Sequence, residues 1–352
     1  MSVFGFGSLD ALLARGRDDW AAVRARLIAI VTDIAFADMA HEALLPLGEI
    51  ATHLPWSVAD YVDFFSSEHH ALNVGRIVDP DFTCLAPNWK HLPIGYHGRA
   101  GTIVVSGTDI VRPHGQRRQP NEDTPEFGPT RHLDIEVEVG FVVGTGSAHG
   151  TSVPASAFAQ HVFGVVLLND WSARDIQGWE SVPLGPMLGK SFATSVSAWV
   201  TPLEALADAR VTPPPQDPAP LPYLADPDPW SLDLRLSLDL SRGRTTVTVS
   251  RPLFAGMYWT PGQQLAHLTI NGASLRPGDL FGSGTVSGAD LDQRGSFLEL
   301  SWGGRQPLAV DGIGDVTFLD DGDIVTIAGQ ANGLEGTTLT LGEVVGRVLP
   351  AY

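Results

Sequence analysis

The sequence predicts a mostly β fold of the α+β class, with few helices. The 38 glycines and 26 prolines among 352 residues predict many turns. Short apolar runs alternate with polar residues at a period of two, which is typical of half-buried strands. Helical spacing is confined to a few segments, chiefly at the amino-terminal end. A hydrophobic content of 43% suffices for a packed core in one large domain with an appendage, or in two domains.

The amino-terminal part of the chain is predicted to be helical. Residues 8–31 carry two apolar patches at helical spacing, and Gly16 between them indicates a break. Asp18 is then a candidate cap for the second of the two helices. A further helix is predicted to begin near Val58. We interpret residues 1–55 as a short, mainly helical appendage.

The rest of the chain alternates strand patterns with turn residues. Leucines at every second position of 232–240 predict a strand, with 246–250 as its hairpin partner. Thr260 is a candidate cap for a short helix that begins at Pro261 and ends at Thr269. Further strands are expected at 102–105, 134–143, 162–169, 324–327 and 338–345.

Residues 134–139 alternate acidic and aliphatic side chains, so a strand would place Asp134, Glu136 and Glu138 on one face. Like charges on one face repel, and burial of an unpaired carboxylate is costly. A hard divalent cation would relieve both costs, because it binds several carboxylate oxygens. A solvated edge strand with its acids facing water is an ordinary alternative. The strand alone leaves both interpretations open.

Three further residues are candidates for the same chemistry. Asp63 and Asp170 could complete a set of oxygen ligands, although each could also be a solvated or capping acid. Asp170 is the stronger of the two, because a buried apolar strand leads directly into it. His70 is the candidate base, since histidine titrates near neutral pH. Its neighbour His69 is expected to be structural.

The composition and the missing motifs exclude several classes of protein. The net charge of −18 argues against a nucleic-acid or acidic-membrane partner, and no apolar run approaches the length of a bilayer span. Absence of GxSxG, GxxxxGK[ST] and strand-linked GxGxxG motifs argues against α/β-type serine hydrolases, P-loop enzymes and Rossmann dehydrogenases. The single cysteine, Cys84, is expected to be a buried small hydrophobe. It cannot form an internal disulfide, and with no signal-peptide pattern a cytoplasmic protein is expected.

Several long motifs resemble one family. They are residues 92–100 (LPIGYHGRA), 169–177 (NDWSARDIQ), 182–192 (VPLGPMLGKSF), 275–279 (LRPGD) and 298–302 (LELSW). In this order and at these lengths they are similar to the fumarylacetoacetate hydrolase (fumarylacetoacetase) family, and the similarity extends from about Leu9 to Leu349.

The resemblance implies a fold, an assembly and a cofactor. It implies a mixed β-roll or β-sandwich catalytic domain, here at residues 56–352, in a homodimer. The implied cofactor is a divalent cation, Ca²⁺ or Mg²⁺ with Mn²⁺ as a further candidate, and a second cation would be Mg²⁺ or Na⁺. The amino-terminal barrel-like domain of the family is expected to be largely missing from this chain.

The resemblance also assigns site residues. The four cation ligands would be Asp63, Glu136, Glu138 and Asp170, whereas Asp134 matches an acid that is not a direct ligand. The general base would be His70, oriented by Glu299. The second cation would lie near Asp170, Trp171, Lys190 and Thr194. Charge stabilisation would come from Arg174, Gln177 and Lys190, and substrate contacts from Phe65, Tyr96, Arg174, Gln177 and Thr285.

Structural alternatives and departures accompany this assignment. Arg174 could instead pair with Asp175 or Asp170, and Lys190 with Glu180. Four positions depart from the family pattern: Phe65 and Ser181 each replace a substrate-contacting Tyr, Asp79 replaces a substrate-contacting Arg for which Arg76 could compensate, and Ala193 replaces a Gly. The pocket for the far end of the substrate is therefore expected to be altered.

The function that the resemblance implies is hydrolytic carbon–carbon cleavage of a 1,3-diketo acid. The expected reaction converts 4-fumarylacetoacetate to fumarate and acetoacetate, a step of tyrosine and phenylalanine breakdown. One alternative is another reaction of the superfamily on an acylpyruvate or 2-keto acid, by a hydrolase, decarboxylase or hydratase. An alternative from a different class is a non-catalytic, metal-stabilised binding protein.

Overall fold

The computed structural model of the chain describes residues 3–5, 7–79, 81–118 and 123–352. The helices in these residues are α1 Asp10–Leu13, α2 Arg17–Thr32, α3 Ala37–Ala43, α4 Glu68–Val78, α5 Phe158–His161, α6 Arg174–Glu180, α7 Pro261–Thr269 and α8 Phe297–Leu300. The strands are β1 Tyr61–Phe64, β2 Gly95–His97, β3 Ile103–Val105, β4 Ile110–Val111, β5 His114–Arg117, β6 Glu126–Pro129, β7 Leu133–Asp134, β8 Val137–Val143, β9 Val162–Asp170, β10 Ser172–Ala173, β11 Thr194–Val196, β12 Thr201–Pro202, β13 Arg210–Val211, β14 Ser231–Leu232, β15 Leu234–Arg242, β16 Thr245–Ser250, β17 Leu280–Gly282, β18 Leu308–Val310, β19 Gly314–Val316, β20 Ile324–Asn332 and β21 Thr338–Leu349. The expected mostly β, α+β class is confirmed.

The larger sheet has eight strands and carries the site described below. Its order is β2-β1-β17-β8-β9-β11-β3, with β12 also paired to β9. The sheet is mixed, because β1 with β17 and β11 with β3 are parallel whereas the neighbouring pairs are antiparallel. Every residue of β9 from Val162 to Asp170 is buried. Both faces of the sheet are covered at this strand, which explains its continuous apolar sequence.

A second sheet of five strands, in the order β16-β15-β20-β21-β4, packs on one face of the first. The leucines at 234, 236, 238 and 240 lie on β15 and are buried, and the predicted hairpin with β16 is confirmed. Leu232 was expected in the same strand, but it belongs to the separate strand β14, which pairs with β13. Leu167 of β9 belongs to the same buried cluster as Leu236 of β15 and Ile327 of β20. The two sheets therefore share one hydrophobic core, as in a sandwich.

The opposite face of the larger sheet carries Asp63, Glu138 and Asp170, and we call it the acidic face. The apolar residues on this face, including Leu168 and Leu280, form a buried cluster that is separate from the core between the two sheets. Leu13 of α1 and Trp20 of α2 complete this cluster, so the amino-terminal helices pack against the acidic face. None of the described helices combines the length and apolar character that a membrane span requires.

The predicted helix boundaries in the amino-terminal part of the chain are partly confirmed. Gly16 has a φ of 89°, a left-handed conformation that favours glycine, and it separates α1 from α2 as predicted. Asp18 as a cap is wrong: α2 starts at Arg17 directly after Gly16, so Asp18 lies inside the first turn. The helix expected near Val58 is also wrong, because Tyr61–Phe64 form β1. Pairing with β2 and β17 determines the extended conformation of this short segment.

Two further predictions need correction. A continuous strand over 134–143 is wrong, because β7 ends at Asp134 and β8 begins at Val137. Asp134 pairs with Ser172 of β10 instead, and its carboxylate accepts hydrogen bonds from the backbone N–H groups of Phe297 and Leu298 at 2.8 and 2.9 Å. Cys84 is exposed rather than buried, since it lies in the irregular segment between α4 and β2.

Candidate active site

Four carboxylates meet on the acidic face. Asp63 comes from β1, Glu138 from β8, Asp170 from the end of β9, and Glu136 from the break before β8. All four residues are buried, and one oxygen of each lies within 4.8 Å of the others. The sheet register explains the cluster, because β1, β17, β8 and β9 are neighbours and side chains alternate between faces. The structure thus brings together all four acids that the sequence analysis proposed as ligands.

Gly282 makes room for two of these acids, and sequence reasoning missed it. It pairs with Asp63 on one side and with Gly140 on the other. A Cβ atom at Gly282 would lie 2.4 Å from Asp63 Oδ1 and 2.8 Å from Glu138 Oε2. Both carboxylates therefore occupy the volume that any larger side chain would fill.

Two buried cations neutralise one side of the cluster. Lys190 Nζ donates to Asp170 Oδ2 at 2.7 Å and also to Glu136. Arg174 Nη1 donates to Glu136 Oε1 at 2.7 Å, and Arg174 Nε donates to Asp134 Oδ2 at 2.9 Å. Burial alone would raise the pKa of Glu136, but Lys190 and Arg174 lower it below its ordinary value. Asp134 is therefore a supporting acid that holds Arg174.

The alternative ion pairs proposed for Arg174 and Lys190 in the sequence analysis are not formed. Arg174 does not pair with Asp175, whose carboxylate accepts the backbone N–H of Arg131 at 2.9 Å. Lys190 does not pair with Glu180, whose Oε1 accepts two backbone N–H groups, from Met187 and Gly189, at 2.8 and 2.7 Å. Lys190 does pair with Asp170, which had been suggested for Arg174.

Asp63 and Glu138 lack such compensation. Among the described residues no cationic side chain pairs with either acid, and neither oxygen of Glu138 has a hydrogen-bond partner. Burial and the neighbouring carboxylates raise the pKa of both acids well above the ordinary range. An all-oxygen, buried and electrically unbalanced cluster of this kind could hold a divalent metal ion.

His70 lies beside this cluster and is fixed by a carboxylate. Its Nδ1 is 2.6 Å from Glu299 Oε2. The other ring nitrogen, Nε2, lies 4.0 Å from Glu136 Oε1 and so faces the acids. Because an ionised carboxylate only accepts, Nδ1 carries the proton in the neutral ring and Nε2 is left to accept one. Both residues are buried.

Three polar residues that the sequence analysis missed hold Glu299 in place. Asn73 Nδ2 donates to Glu299 Oε1 at 2.9 Å, while the hydroxyls of Ser287 and Ser296 donate to Oε2 at 2.8 and 2.9 Å. Burial would raise the pKa of Glu299, but His70 and these hydrogen bonds lower it to about 2. Asn73 could have been found, because it lies three residues after His70 on the same face of α4.

The remaining predicted residues lie at different distances from the cluster. Tyr96 Oη donates to Asp170 Oδ2 at 2.7 Å, and Thr194 Oγ1 donates to Asp170 Oδ1 at 3.2 Å. Gln177 Oε1 accepts a hydrogen bond from Arg174 Nη1 at 3.3 Å. The Trp171 indole points elsewhere, since its N–H donates to Ser195 Oγ at 2.9 Å.

The positions that depart from the family pattern are also located. The Phe65 ring stands edge-on to His70, with centroids 5.2 Å apart. Ser181 Oγ donates to the backbone carbonyl of Gln177 at 2.6 Å. Asp79 and Arg76 are both exposed at the end of α4. Thr285 is buried, and its hydroxyl has no partner among the described residues.

A cavity of about 240 Å³ is lined by Tyr61, Tyr96, Lys190 and Thr194 together with residues 97–99, and its lining includes none of the four acids. A larger cavity of about 400 Å³ has Val62, Phe64 and Phe281 in its wall. Tyr61 and Tyr96 also line this larger cavity, and its lining includes none of the four acids.

Comparisons with known proteins give one consistent result. A family model described as fumarylacetoacetate (FAA) hydrolase C-terminal matches residues 60–348. Fumarylacetoacetase of Mus musculus is 46% identical over 356 residues, which cover 99% of this chain and 85% of the mouse protein. That of Caenorhabditis elegans is 47% identical over 357 residues, which cover 99% of this chain and 85% of the nematode protein. The solved structure of a fumarylacetoacetate hydrolase from psychrophilic Exiguobacterium antarcticum has a similar fold, with a TM-score of 0.52, 16% sequence identity, and coverage of 85% of this chain and 78% of that one.

Proposed function

The chain belongs to the fumarylacetoacetate hydrolase family, and we propose from this premise that it hydrolyses fumarylacetoacetate to fumarate and acetoacetate. The observation that carries the proposal is the buried cluster of four carboxylates beside the His70–Glu299 pair. Hydrolysis of a carbon–carbon bond needs an activated water, a polarised carbonyl and a stabilised carbanion. The site offers candidate groups for each of these tasks.

The four carboxylates are proposed to hold Ca²⁺ or Mg²⁺, with Mn²⁺ as a further candidate. The fit rests on the donor set, because hard divalent cations prefer several oxygen ligands and Glu138 has no other partner among the described residues. When bound, the cation would supply Lewis-acid polarisation of the carbonyl groups of the substrate. A second cation, Mg²⁺ or Na⁺, is proposed near Asp170, Trp171, Lys190 and Thr194.

His70 is proposed as the general base. Its Nε2 would take a proton from water, and the hydroxide would attack the fumaryl carbonyl carbon. Glu299 keeps the ring in the required tautomer and stabilises the imidazolium that forms. The proton on Nε2 is then available for the departing carbon. The balance is simple: the hydroxyl group of water ends on fumarate, and its second hydrogen ends on acetoacetate.

Arg174, Gln177 and Lys190 are proposed to stabilise negative charge during cleavage. Arg174 and Lys190 are held by Glu136 on the same side of the cluster, so both charges are oriented before substrate binds. Arg174 Nη2 is buried without a partner among the described residues and could donate to an oxyanion. The acetoacetate portion departs as a carbanion, whose charge the same cations would offset until the carbon is protonated.

Substrate contacts are proposed for Phe65, Tyr96, Thr285, Arg174 and Gln177. Tyr96 and the unpaired hydroxyl of Thr285 can donate or accept hydrogen bonds, whereas Phe65 offers only a ring edge beside His70. A homodimer is proposed on the family resemblance. The division at residue 55 is proposed on the change from helical to strand patterns, and a cytoplasmic location on the single cysteine.

A panel of 1,3-diketo acids tests the proposed substrate. Purified protein is supplied with fumarylacetoacetate, acylpyruvates and 2-keto acids, and loss of diketone absorbance is followed while products are identified by chromatography. The proposal predicts equimolar fumarate and acetoacetate from the first compound and the highest kcat/KM for it. Preferential turnover of an acylpyruvate, or release of carbon dioxide, would favour the alternative superfamily reactions. No turnover of any compound would favour the non-catalytic alternative.

A further inference from the structure

The cavity of about 240 Å³ that Lys190 and Tyr96 line has a charge opposite to that of the whole chain. The chain has 40 Asp and Glu residues against 22 Lys and Arg, yet among the described residues no Asp or Glu lines this cavity. Two basic residues, Arg99 and Lys190, do line it. A lining with basic and no acidic side chains favours an anionic ligand over a neutral or cationic one.

Arg99 is the basic residue of this lining whose charge is not already offset. Lys190 Nζ donates to both Glu136 and Asp170. Arg99 is exposed, and all arginine ion pairs among the described residues involve other arginines. A guanidinium group presents five N–H donors and can bind a carboxylate through two parallel hydrogen bonds. Arg99 can therefore offer an anion both charge and matching geometry.

The backbone fixes the position of Arg99 at the cavity. Thr102 Oγ1 lies 3.1 Å from the carbonyl oxygen of Arg99 and 2.8 Å from that of Ser191, so one hydroxyl joins two segments that line the cavity. On the other side, the Gly98 N–H donates to the Tyr61 carbonyl at 3.0 Å. A Cβ atom at Gly98 would overlap the Tyr61 ring, so the two residues are in close contact. The exposed side chain of Arg99 thus starts from a rigid support.

Ser191 supplies a second donor in the same lining. Its N–H donates to the Met187 carbonyl at 2.7 Å and its carbonyl accepts from Thr102, but its hydroxyl has no partner among the described residues. The hydroxyls of Tyr96 and Thr194, by contrast, already lie within hydrogen-bonding distance of the Asp170 carboxylate. A guanidinium and a free hydroxyl at one cavity suit the two oxygens of a carboxylate.

The proposed substrate carries groups of this kind. Fumarylacetoacetate has a carboxylate at each end, with the two carbonyl groups between them. Each carboxylate loses water on binding, so it needs a hydrogen-bonding partner of opposite charge. The buried cations Lys190 and Arg174 are both paired with Glu136, whereas Arg99 lies outside the acid cluster. Arg99 is therefore available for one end of the substrate.

We propose that Arg99, assisted by the Ser191 hydroxyl, binds a terminal carboxylate of the diketo-acid substrate in this cavity. The inference deepens the proposed function and rests on it for the identity of the substrate. Arg99 is then a specificity-determining residue that favours dianionic substrates and takes no part in bond cleavage. Because its side chain is exposed, it also attracts anions from solution, an effect that salt screens.

The substitution Arg99→Gln removes the charge and tests the inference by steady-state kinetics with fumarylacetoacetate. We expect KM to rise about tenfold, the size expected when a hydrogen bond to a charged group is lost. The value of kcat should not change, because the contact is made equally in the bound substrate and in the transition state. Arg99→Lys keeps the charge and loses the paired donors, so its KM should lie between those of Arg99→Gln and the wild type.

The two products identify which carboxylate is bound. Fumarate and acetoacetate each carry one end of the substrate, and each is titrated as a competitive inhibitor of the wild type and of Arg99→Gln. Weaker inhibition of the variant by fumarate supports the inference for the fumaryl end, and weaker inhibition by acetoacetate supports it for the other end. Arg244→Gln is the matched control and should change no constant, because Arg244 is an exposed arginine in the turn between β15 and β16.

The outcomes separate this inference from the proposed function. If the wild type cleaves fumarylacetoacetate and Arg99→Gln has the same KM and inhibition constants, Arg99 is a solvated surface residue and only the inference is wrong. A lower kcat at unchanged KM also overturns it. If the wild type cleaves no diketo acid, the proposed function fails and calorimetric titration with fumarate decides. Weaker fumarate binding by Arg99→Gln than by the wild type then supports a carboxylate site, and equal or absent binding overturns it.

Discussion

Replacement of Glu299 by Gln removes the charge that fixes His70 and keeps the size of the side chain. The pKa of Glu299 is lowered to about 2 from an ordinary value of 4.5. At ~1.36 kcal/mol per pH unit, this difference corresponds to about 3 kcal/mol of folding free energy. Because the pKa is lower in the folded chain, this stabilisation is fully present above about pH 4.5 and is lost as the pH falls toward 2. Glu299→Gln should abolish this part of the pH dependence.

The same substitution should slow catalysis without removing the base. Loss of a general base costs roughly 10²–10⁴-fold in rate, which we expect for His70→Ala. In Glu299→Gln the imidazole remains, but a neutral amide holds Nδ1 and stabilises the imidazolium less, so kcat should fall within that range. Because the two residues act as one unit, the double variant should be no slower than His70→Ala.

The assays are loss of diketone absorbance for kcat and guanidinium unfolding between pH 3 and pH 8 for stability. Glu343→Gln, at an exposed position of β21, is the matched control and should change neither quantity. Wild-type kcat in Glu299→Gln would refute the proposed orientation of His70. A double variant that loses the product of both single effects would show that the residues act independently.

Two further substitutions test the geometry around the site. Gly282→Ala should weaken Ca²⁺ binding at least roughly tenfold by calorimetry, because its Cβ would displace the carboxylates of Asp63 and Glu138, while Gly48→Ala, where a Cβ meets nothing within 4 Å, should not. An unchanged affinity in Gly282→Ala would contradict the close approach. Thr260→Ala should destabilise the chain by about 1 kcal/mol in guanidinium unfolding, because it removes the capping box of α7, and it should leave kcat unchanged. A variant as stable as the wild type would argue against the cap.

Local sequence patterns were sufficient where the side chains of one segment determine its structure. The alternating leucines of β15 predicted both the strand and its hairpin with β16. The Thr260 cap and Pro261 at the first helical position predicted that α7 begins at Pro261, and α7 has the predicted bounds Pro261–Thr269. The apolar run of 162–169 predicted a buried strand that leads into Asp170, and β9 is buried from Val162 to Asp170. In each case periodicity or capping is a property of neighbouring residues.

Patterns failed where distant residues determine the conformation. Tyr61–Phe64 is too short to separate strand from helix by periodicity, and its pairing with Leu280 lies beyond any local window. The break after Asp134 depends on hydrogen bonds from Phe297 and Leu298, more than 160 residues further along the chain.

Local patterns were also insufficient to predict the site. The acidic alternation of 134–139 left a metal site and a solvated strand equally open, and only the fold joins Glu136 and Glu138 to Asp63 and Asp170. The contact between His70 and Glu299 spans 229 residues, so the family resemblance, and no local pattern, indicated it. No sequence pattern indicated Gly282. Its role is to leave space for the carboxylates of Asp63 and Glu138, and that space exists only in the folded chain.

Cation dependence of the cleavage reaction tests the central proposal most directly. Protein treated with chelator, with metal removal verified by elemental analysis, is titrated with Ca²⁺ or Mg²⁺ while bound cation and the rate of fumarylacetoacetate cleavage are measured together. The proposal predicts a negligible rate at the start and a rate that rises with the fraction of sites occupied. Glu138→Gln should require far more cation. Full activity in verified metal-free protein would contradict the role assigned to the four carboxylates.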